Sequence, residues 1–151
     1  MRAALTVLLL AFGGPLPLTA QAGVTGVRPL AFGTVLPGVA DVVLPTDPVN
    51  SGQFNLTGRA NGFAFLRFTL PASMAGPAGA TLPLVFAATD AGYSASQSVG
   101  NQVLFDPRAF RLVRLSATGR GSVFLGGTAL PAVGQRAGDY TGTVTLSVVF
   151  F

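Results

Sequence analysis

Apolar and polar residues alternate with a period of two in the clearest segments of this chain. Residues 63–70 alternate between two sets, of which one is uniformly apolar: Ala64, Leu66, Phe68 and Leu70. Residues 53–58 follow the same pattern, and residues 140–150 follow it over the longest run. Because successive side chains of a β-strand point to opposite faces of the sheet, these segments predict strands with one face in a core.

Three further segments are rich in apolar and β-branched residues and end at turn-forming residues. They predict strands at residues 29–36, 39–44 and 81–88. Pro83 favours an edge position or a strand start for the last of these. Residues 89–102 are small and polar, which predicts a mobile loop. No long stretch has the i, i+3, i+4 spacing of an amphipathic helix.

The following segment fits two interpretations. In the first, residues 109–118 and 122–125 form a hairpin around the Gly-Arg-Gly turn at 119–121. In the second, the Asp-Pro pair at 106–107 begins a single helical turn that places the next three arginines on one side. The pattern of residues 89–118 does not decide between them.

Short strands separated by glycine- and proline-rich turns, without helices, are typical of a sandwich or a barrel. We expect residues 23–151 to form one all-β domain, an antiparallel β-sandwich of about seven or eight strands. A domain of this length buries about two thirds of the surface that its unfolded chain exposes. It is therefore long enough to hold its own core.

The first residues have the features of an export signal. Arg2 gives a positive start, residues 3–12 are apolar and uncharged, and Ala20-Gln21-Ala22 matches the small-x-small site of signal peptidase. The apolar run is shorter than the about 20 residues that span a bilayer. We expect residues 1–22 to be a signal peptide, with an uncleaved anchor as the alternative. The mature chain is then exported to the periplasm, cell surface or medium and has no membrane span.

The composition excludes most kinds of catalytic site. The chain has no cysteine, histidine, glutamate, lysine or tryptophan, so a general base would have to be an aspartate: Asp41, Asp47, Asp90, Asp106 or Asp139. These lie singly in turn-like sequences, where aspartate ordinarily accepts hydrogen bonds from backbone amides. We expect no enzyme activity, no cofactor and no metal site, with a glycosidase-like pair of aspartates as the alternative.

The charges are few and mostly positive. The mature chain carries eight arginines and five aspartates, a net charge of +3, and sparse arginines in an exported chain do not favour nucleic-acid binding. One cluster stands out, made of Arg108, Arg111, Arg114 and Arg120. It is a candidate patch for an acidic glycan or lipid phosphates. The alternative is a solvated strand face on which arginine discourages association between sheet edges.

Three ordered segments resemble one bacterial family. They are LAFGTV at 30–35, FNLTG at 54–58 followed by ANG at 60–62, and GGTAL at 126–130 followed by GDYTGTVTLSV at 138–148. Together they are similar to the exported family called domain of unknown function 4402, over nearly the whole mature chain. The resemblance implies an immunoglobulin-like secreted sandwich without catalytic residues.

The end of the chain is also similar to chaperone–usher pilins and spore-coat-protein-U-like domains. The residues that carry this likeness are the alternating Val144, Leu146, Val148 and Phe150, with Gly138 upstream. The resemblance implies a candidate assembly strand, in which an exposed sheet edge pairs with a strand from another subunit or a periplasmic chaperone. The alternative is the last core strand of a closed sandwich, because that strand needs the same alternation.

The expected function is therefore that of a secreted or surface module with a structural or adhesive role, of which a pilus- or fimbria-related role is the specific form. A competing hypothesis is a sandwich that binds a surface glycan or another envelope partner through residues 89–102 or the arginine hairpin. A third is a small outer-membrane β-barrel, because Phe151 ends an alternating strand. In that case Thr143, Thr145 and Ser147 would face lipid, and the aromatic girdle of such barrels is missing.

Overall fold

A computed structural model describes residues 21–151. The predicted signal peptide lies outside these residues except for its last two, so it stays a prediction. The described chain contains twelve β-strands and a 3₁₀ turn at Pro77–Gly79. The strands are β1 (Gly23–Arg28), β2 (Asp41–Val43), β3 (Gly52–Thr57), β4 (Phe63–Thr69), β5 (Ser73–Ala75), β6 (Thr81–Val85), β7 (Ala91–Ser94), β8 (Val103–Phe105), β9 (Arg111–Arg114), β10 (Arg120–Leu125), β11 (Gly127–Ala129) and β12 (Thr145–Phe150).

The strands pair antiparallel and form three sheets. The five-stranded sheet has the order β1-β3-β10-β7-β8, the three-stranded sheet β12-β4-β9, and the four-stranded sheet β2-β11-β6-β5. The prediction of an all-β antiparallel sandwich is confirmed. There are twelve strands rather than seven or eight, because glycine, proline and sheet crossings divide the chain into short pieces, four of them only three residues long.

The core lies between the five-stranded and three-stranded sheets. Leu56 of β3 and Val123 of β10 are fully buried in one cluster with Leu66 of β4. Phe54 meets Phe68 edge to face, with ring centroids 6.0 Å apart. Removing these side chains from water is the main force that holds the two sheets together. The prediction that the uniformly apolar set of residues 63–70 faces the core is confirmed.

The expectation of a loop over residues 89–102 is wrong in its first half, because β7 lies there and all four of its residues are buried. β7 pairs with β10 and β8 inside the five-stranded sheet. A Cβ at Gly92 would overlap the side-chain oxygen of Gln102, so close packing explains the small residue that suggested a loop. Tyr93 fills the other face, and its hydroxyl donates a hydrogen bond to the Arg114 carbonyl oxygen at 2.7 Å, which ties the two sheets together.

The strand predicted at residues 29–36 is also wrong, because the first strand is β1 and no strand covers residues 29–40. Pro29 has no N–H to donate to a ladder. Gly33 has a φ of 64°, in the left-handed region that an extended strand does not use. The Arg28 guanidinium ends β1 by donating to the Ser51 carbonyl at 2.6 Å and the Ser51 hydroxyl at 2.8 Å.

The predicted hairpin around residues 119–121 is not formed. β9 pairs with β4 in the three-stranded sheet, whereas β10 pairs with β3 and β7 in the five-stranded sheet. The turn between them therefore crosses from one layer to the other, held by the Ser116 amide on the Arg120 carbonyl at 2.9 Å. The alternative helical turn is not formed either. Residues 106–109 make one hydrogen-bonded turn without a helix, and β9 follows.

At Gly126 the chain passes from β10 in the five-stranded sheet to β11 in the four-stranded sheet. A Cβ at Gly126 would overlap the Val43 carbonyl oxygen, so only glycine allows β2 to approach this closely. The prediction that Pro83 marks an edge position or a strand start is wrong, because Pro83 is the third residue of β6, which lies between β11 and β5. The Pro83 carbonyl accepts a hydrogen bond from the Leu130 amide at 2.9 Å, just past the end of β11.

Candidate functional site

The last strand, β12, forms one edge of the three-stranded sheet, and no strand of residues 21–151 pairs with its other side. The Phe151 amide donates to the Phe63 carbonyl at 2.9 Å, and the register continues through Val149 opposite Phe65. Since hydrogen-bonded and non-hydrogen-bonded pairs alternate in an antiparallel ladder, the odd-numbered residues of β12 bond to β4. The N–H and C=O groups of Leu146, Val148 and Phe150 therefore point to the free edge.

The side chains of the predicted assembly strand point inward. Leu146 is buried, while Val144, Val148 and Phe150 are half-buried and pack against the core cluster. Their alternation is thus explained by the core of the sandwich. At the same time, the backbone groups of three of them line an unpaired edge. The structure gives this strand both properties, a packed inner face and a free backbone edge.

The outer face of the three-stranded sheet is unusually apolar. Phe65 of β4 lies opposite Val149 of β12 on one side and Leu112 of β9 on the other. Its ring meets that of Phe151 edge to face at a centroid distance of 5.4 Å. We call this surface the outer aromatic face. Its six exposed apolar members are Phe63, Phe65, Phe110, Leu112, Val149 and Phe151.

Sequence reasoning missed the outer aromatic face. The alternation of residues 63–70 already assigned Phe63 and Phe65 to the side opposite the core. Phe110 and Phe151 join them only through the pairing of β4 with β9 and β12, which the sequence does not specify. The sequence did contain one signal of this face. Phe63 and Phe65 lie on the side of β4 that faces away from the core, where an antiparallel sheet normally has polar residues.

The four predicted patch arginines do not share one face. Arg111 and Arg114 are separated by an odd number of positions in β9, so they lie on opposite sides of the sheet. The half-buried Arg111 lies over the Phe105 ring, with 5.7 Å between its guanidinium carbon and the ring centroid. Arg114 and Arg120 are exposed. Whether any of them binds a polyanion stays a prediction.

Arg108 is engaged by a carboxylate. Its guanidinium makes two hydrogen bonds to Asp106, at 2.9 and 2.8 Å, the second of which is also an ion pair. The Arg108 side chain and amide together lower the pKa of Asp106 to about 2. The carboxylate thus stays charged at any ordinary pH and offsets much of the charge that Arg108 would offer to an anion.

Two other aspartates hold turns. Asp47 accepts hydrogen bonds from the Asn50 and Val49 amides at 2.9 and 2.8 Å, and these bonds hold its pKa below the usual value. The buried Asp90 accepts a bond from the Ala87 amide at 2.7 Å. The contacts of Asp47 form an ordinary Asx turn, and in both residues a backbone N–H occupies a carboxylate oxygen.

An apolar cleft of about 440 Å³ opens between the sheets where β1 ends and the chain approaches β12. Its lining includes Leu30, Phe54, Met74 and Val144. The nearby guanidinium of Arg28 is occupied by Ser51. The volume of the cleft falls within the range of small-molecule sites. Such sites also bring a few polar groups together to orient the ligand, whereas the lining of this cleft is mostly apolar.

No family model, curated protein or solved structure matches the chain. The family resemblance therefore depends on its ordered motifs alone. Within residues 21–151, no helix has the length and apolar character needed to cross a membrane. The candidate site is thus defined by geometry, as the free edge of β12 and the outer aromatic face beside it.

Proposed function

We propose that this chain is an exported structural module of the bacterial cell surface, with no catalytic activity, whose copies assemble through the free edge of β12. A further strand added there would extend the three-stranded sheet by β-augmentation. The N–H and C=O groups of Leu146, Val148 and Phe150 supply the unused hydrogen bonds. Export is supported by the signal-like residues 1–22, and the pilus-related form by the resemblance of the C-terminal strand.

The observation that carries the proposal is the character of the free edges. Of the edge strands in residues 21–151, β1 and β12 have six residues each, while β2, β5, β8 and β9 have three or four. β12 carries no charge, and the one charge of β1, on Arg28, is bound to the loop at Ser51. Monomeric sheet proteins usually protect an edge with a short strand, a charge or a proline. β12 lacks all three of these protections, and β1 is neither short nor interrupted by a proline, but it does have a bulge between Gly26 and Arg28.

Two different free edges on one molecule favour head-to-tail assembly. If β12 of one copy pairs with β1 of the next, the row keeps one free β1 edge at one end and one free β12 edge at the other. Such a heterologous contact extends without closing unless its rotation makes a ring. The proposal is therefore a growing row of sandwiches whose sheets are joined through main-chain hydrogen bonds.

Replacing Val148 by proline tests the edge directly. The Val148 N–H points away from β4, so the substitution removes a donor of the free edge while the β4–β12 ladder stays complete. We expect wild-type protein purified from the expressing cells to form oligomers that grow with concentration. The V148P variant is expected to stay monomeric. Light scattering after size-exclusion chromatography and negative-stain electron microscopy measure both.

A matched control is V148A, which shortens the same side chain but keeps the edge N–H and should still assemble. V148P is expected to keep the β-sheet spectrum of the wild type, which circular dichroism measures. Wild-type protein that is monomeric at every concentration would refute the assembly proposal. A species that stops at the dimer would refute the head-to-tail arrangement, and assembly of V148P equal to that of V148A would refute the role of β12.

A further inference from the structure

The outer aromatic face consists of side chains that cannot make a hydrogen bond. Four of its members are phenylalanines, and none is tyrosine or tryptophan. Phe110 and Phe151 are 68% and 63% exposed, and even Phe65, at the centre, is 43% exposed. An exposed apolar patch rimmed by polar residues usually marks a protein or membrane interaction surface. This face presents hydrocarbon over all three strands of one sheet.

The charged side chains on the outer side of β4, β9 and β12 have one sign. Arg67 projects from β4 on the same side as Phe65, and its guanidinium carbon lies 5.0 Å from the centroid of the Phe110 ring. Arg114 projects on that side from β9. β4, β9 and β12 contain no aspartate or glutamate, and Asp106, which precedes β9, is ion-paired with Arg108. The face is therefore complementary to a partner that is both apolar and anionic.

A second copy of the chain does not fit this description. Face-to-face pairing would bring Arg67 and Arg114 against arginines of the other copy, and β4, β9 and β12 supply no aspartate or glutamate side chain to compensate. A glycan site is concave and brings several polar groups together, whereas this surface is the open side of a sheet. Phenylalanine and arginine are enriched at protein interfaces and also in interfacial membrane binders. What favours the membrane is the combination of an open hydrocarbon surface with positive side-chain charges that no neighbouring carboxylate on the sheet balances.

We propose that the outer aromatic face docks on an anionic lipid bilayer. The phenylalanines enter the boundary between headgroups and acyl chains, where they need no hydrogen-bond partner. Arg67 and Arg114 lie at the level of the phosphate groups, which attract basic side chains at the membrane surface. Docking leaves the free edge of β12 accessible, because that edge runs along the sheet and not across its face.

The test is partitioning of the purified protein onto vesicles, measured by co-sedimentation. One set of vesicles contains phosphatidylcholine with about 30 mol% phosphatidylglycerol, comparable to anionic biological membranes, and the other contains phosphatidylcholine alone. We expect wild-type protein to prefer the anionic vesicles. The double variant F65S/F151S should lower the partition coefficient by at least about tenfold, because binding scales with buried apolar area.

Matched controls separate this face from the rest of the surface. V49S/V133S removes two more exposed apolar side chains, 70% and 87% exposed, from turns outside the three-stranded sheet and should bind like wild type. R67S should weaken binding to anionic vesicles and reduce its salt dependence, while R136S, on an exposed loop, should have less effect. Thermal unfolding verifies that each variant is folded.

Equal partitioning of F65S/F151S and V49S/V133S would overturn the proposal, as would equal binding to both kinds of vesicle. Concentration-dependent association without vesicles that F65S/F151S abolishes would also overturn it, by assigning the face to a protein contact. The V148P variant is expected to bind vesicles like wild type. Failure of the lipid proposal is therefore distinguishable from failure of the assembly proposal.

Discussion

Replacing Leu66 by alanine is expected to lower the free energy of unfolding by about 3 kcal/mol, within the range measured for buried leucines. Leu66 is fully buried on β4, the central strand of the three-stranded sheet, and belongs to the cluster that joins the two layers. The expected loss in free energy has two parts: the burial energy of the side-chain atoms that are removed, and the cost of the cavity that remains. Urea denaturation followed by circular dichroism measures the change.

Leu112 provides the matched control, because it is on the adjacent strand β9 but half of its surface is exposed. L112A removes the same atoms from the outer face and should cost less than about 1 kcal/mol. Similar losses for the two variants would show that Leu66 is not in the core. That result would contradict the packing of the two sheets.

Replacing Gly119 by alanine is expected to be about as damaging, with a loss of about 2 to 5 kcal/mol. Gly119 is in the turn that carries the chain from β9 to β10, and its φ is 72°. An added Cβ would also overlap the Gly58 carbonyl oxygen, while the Gly119 carbonyl accepts the Gly58 amide at 2.8 Å. The backbone strain of a left-handed alanine and the overlap with Gly58 add together, because the Gly58 backbone that would have to move is itself hydrogen-bonded to Gly119.

Gly33 separates these two causes. Its φ of 64° is similar, but nothing lies within 4 Å of the position that a Cβ would take. G33A should therefore cost only the left-handed penalty of about 1 to 2 kcal/mol. Chemical denaturation of the two variants compares them directly. Equal losses would mean that the turn at Gly119 is more open than the structure shows.

The strands with the strongest alternation were the ones that the sequence predicted well. β4 and β12 bury one set of side chains and expose the other, so residues of the inward set are uniformly apolar along them. β3 also alternates, although its polar Gln53 and Asn55 are half-buried. β7 lacks this alternation because it lies between two strands of a sheet and is buried on both faces, where close packing requires small residues such as Gly92 and Ser94. β1 lacks it because its side chains are mostly exposed and its pairing with β3 uses backbone groups.

The sequence predicted where strands lie better than it predicted which strands pair with each other. The turn at residues 116–120 has the composition of a hairpin turn, but Tyr93 and Leu115 are buried in the same core from different layers. Whether a turn joins two strands of one sheet or crosses between layers depends on such distant contacts. The candidate edge was predicted from the resemblance of residues 144–150 to a pilin strand, whereas the outer aromatic face required the neighbours of β4.

Amide hydrogen exchange at β12, followed residue by residue by NMR, tests the central claim most directly. In the monomer, the account predicts slow exchange for Ser147 and Val149, whose amides bond to β4, and fast exchange for Leu146, Val148 and Phe150. On assembly, the three fast amides should become protected. Slow exchange of those three in the monomer, or no change when oligomers form, would contradict assembly through this edge.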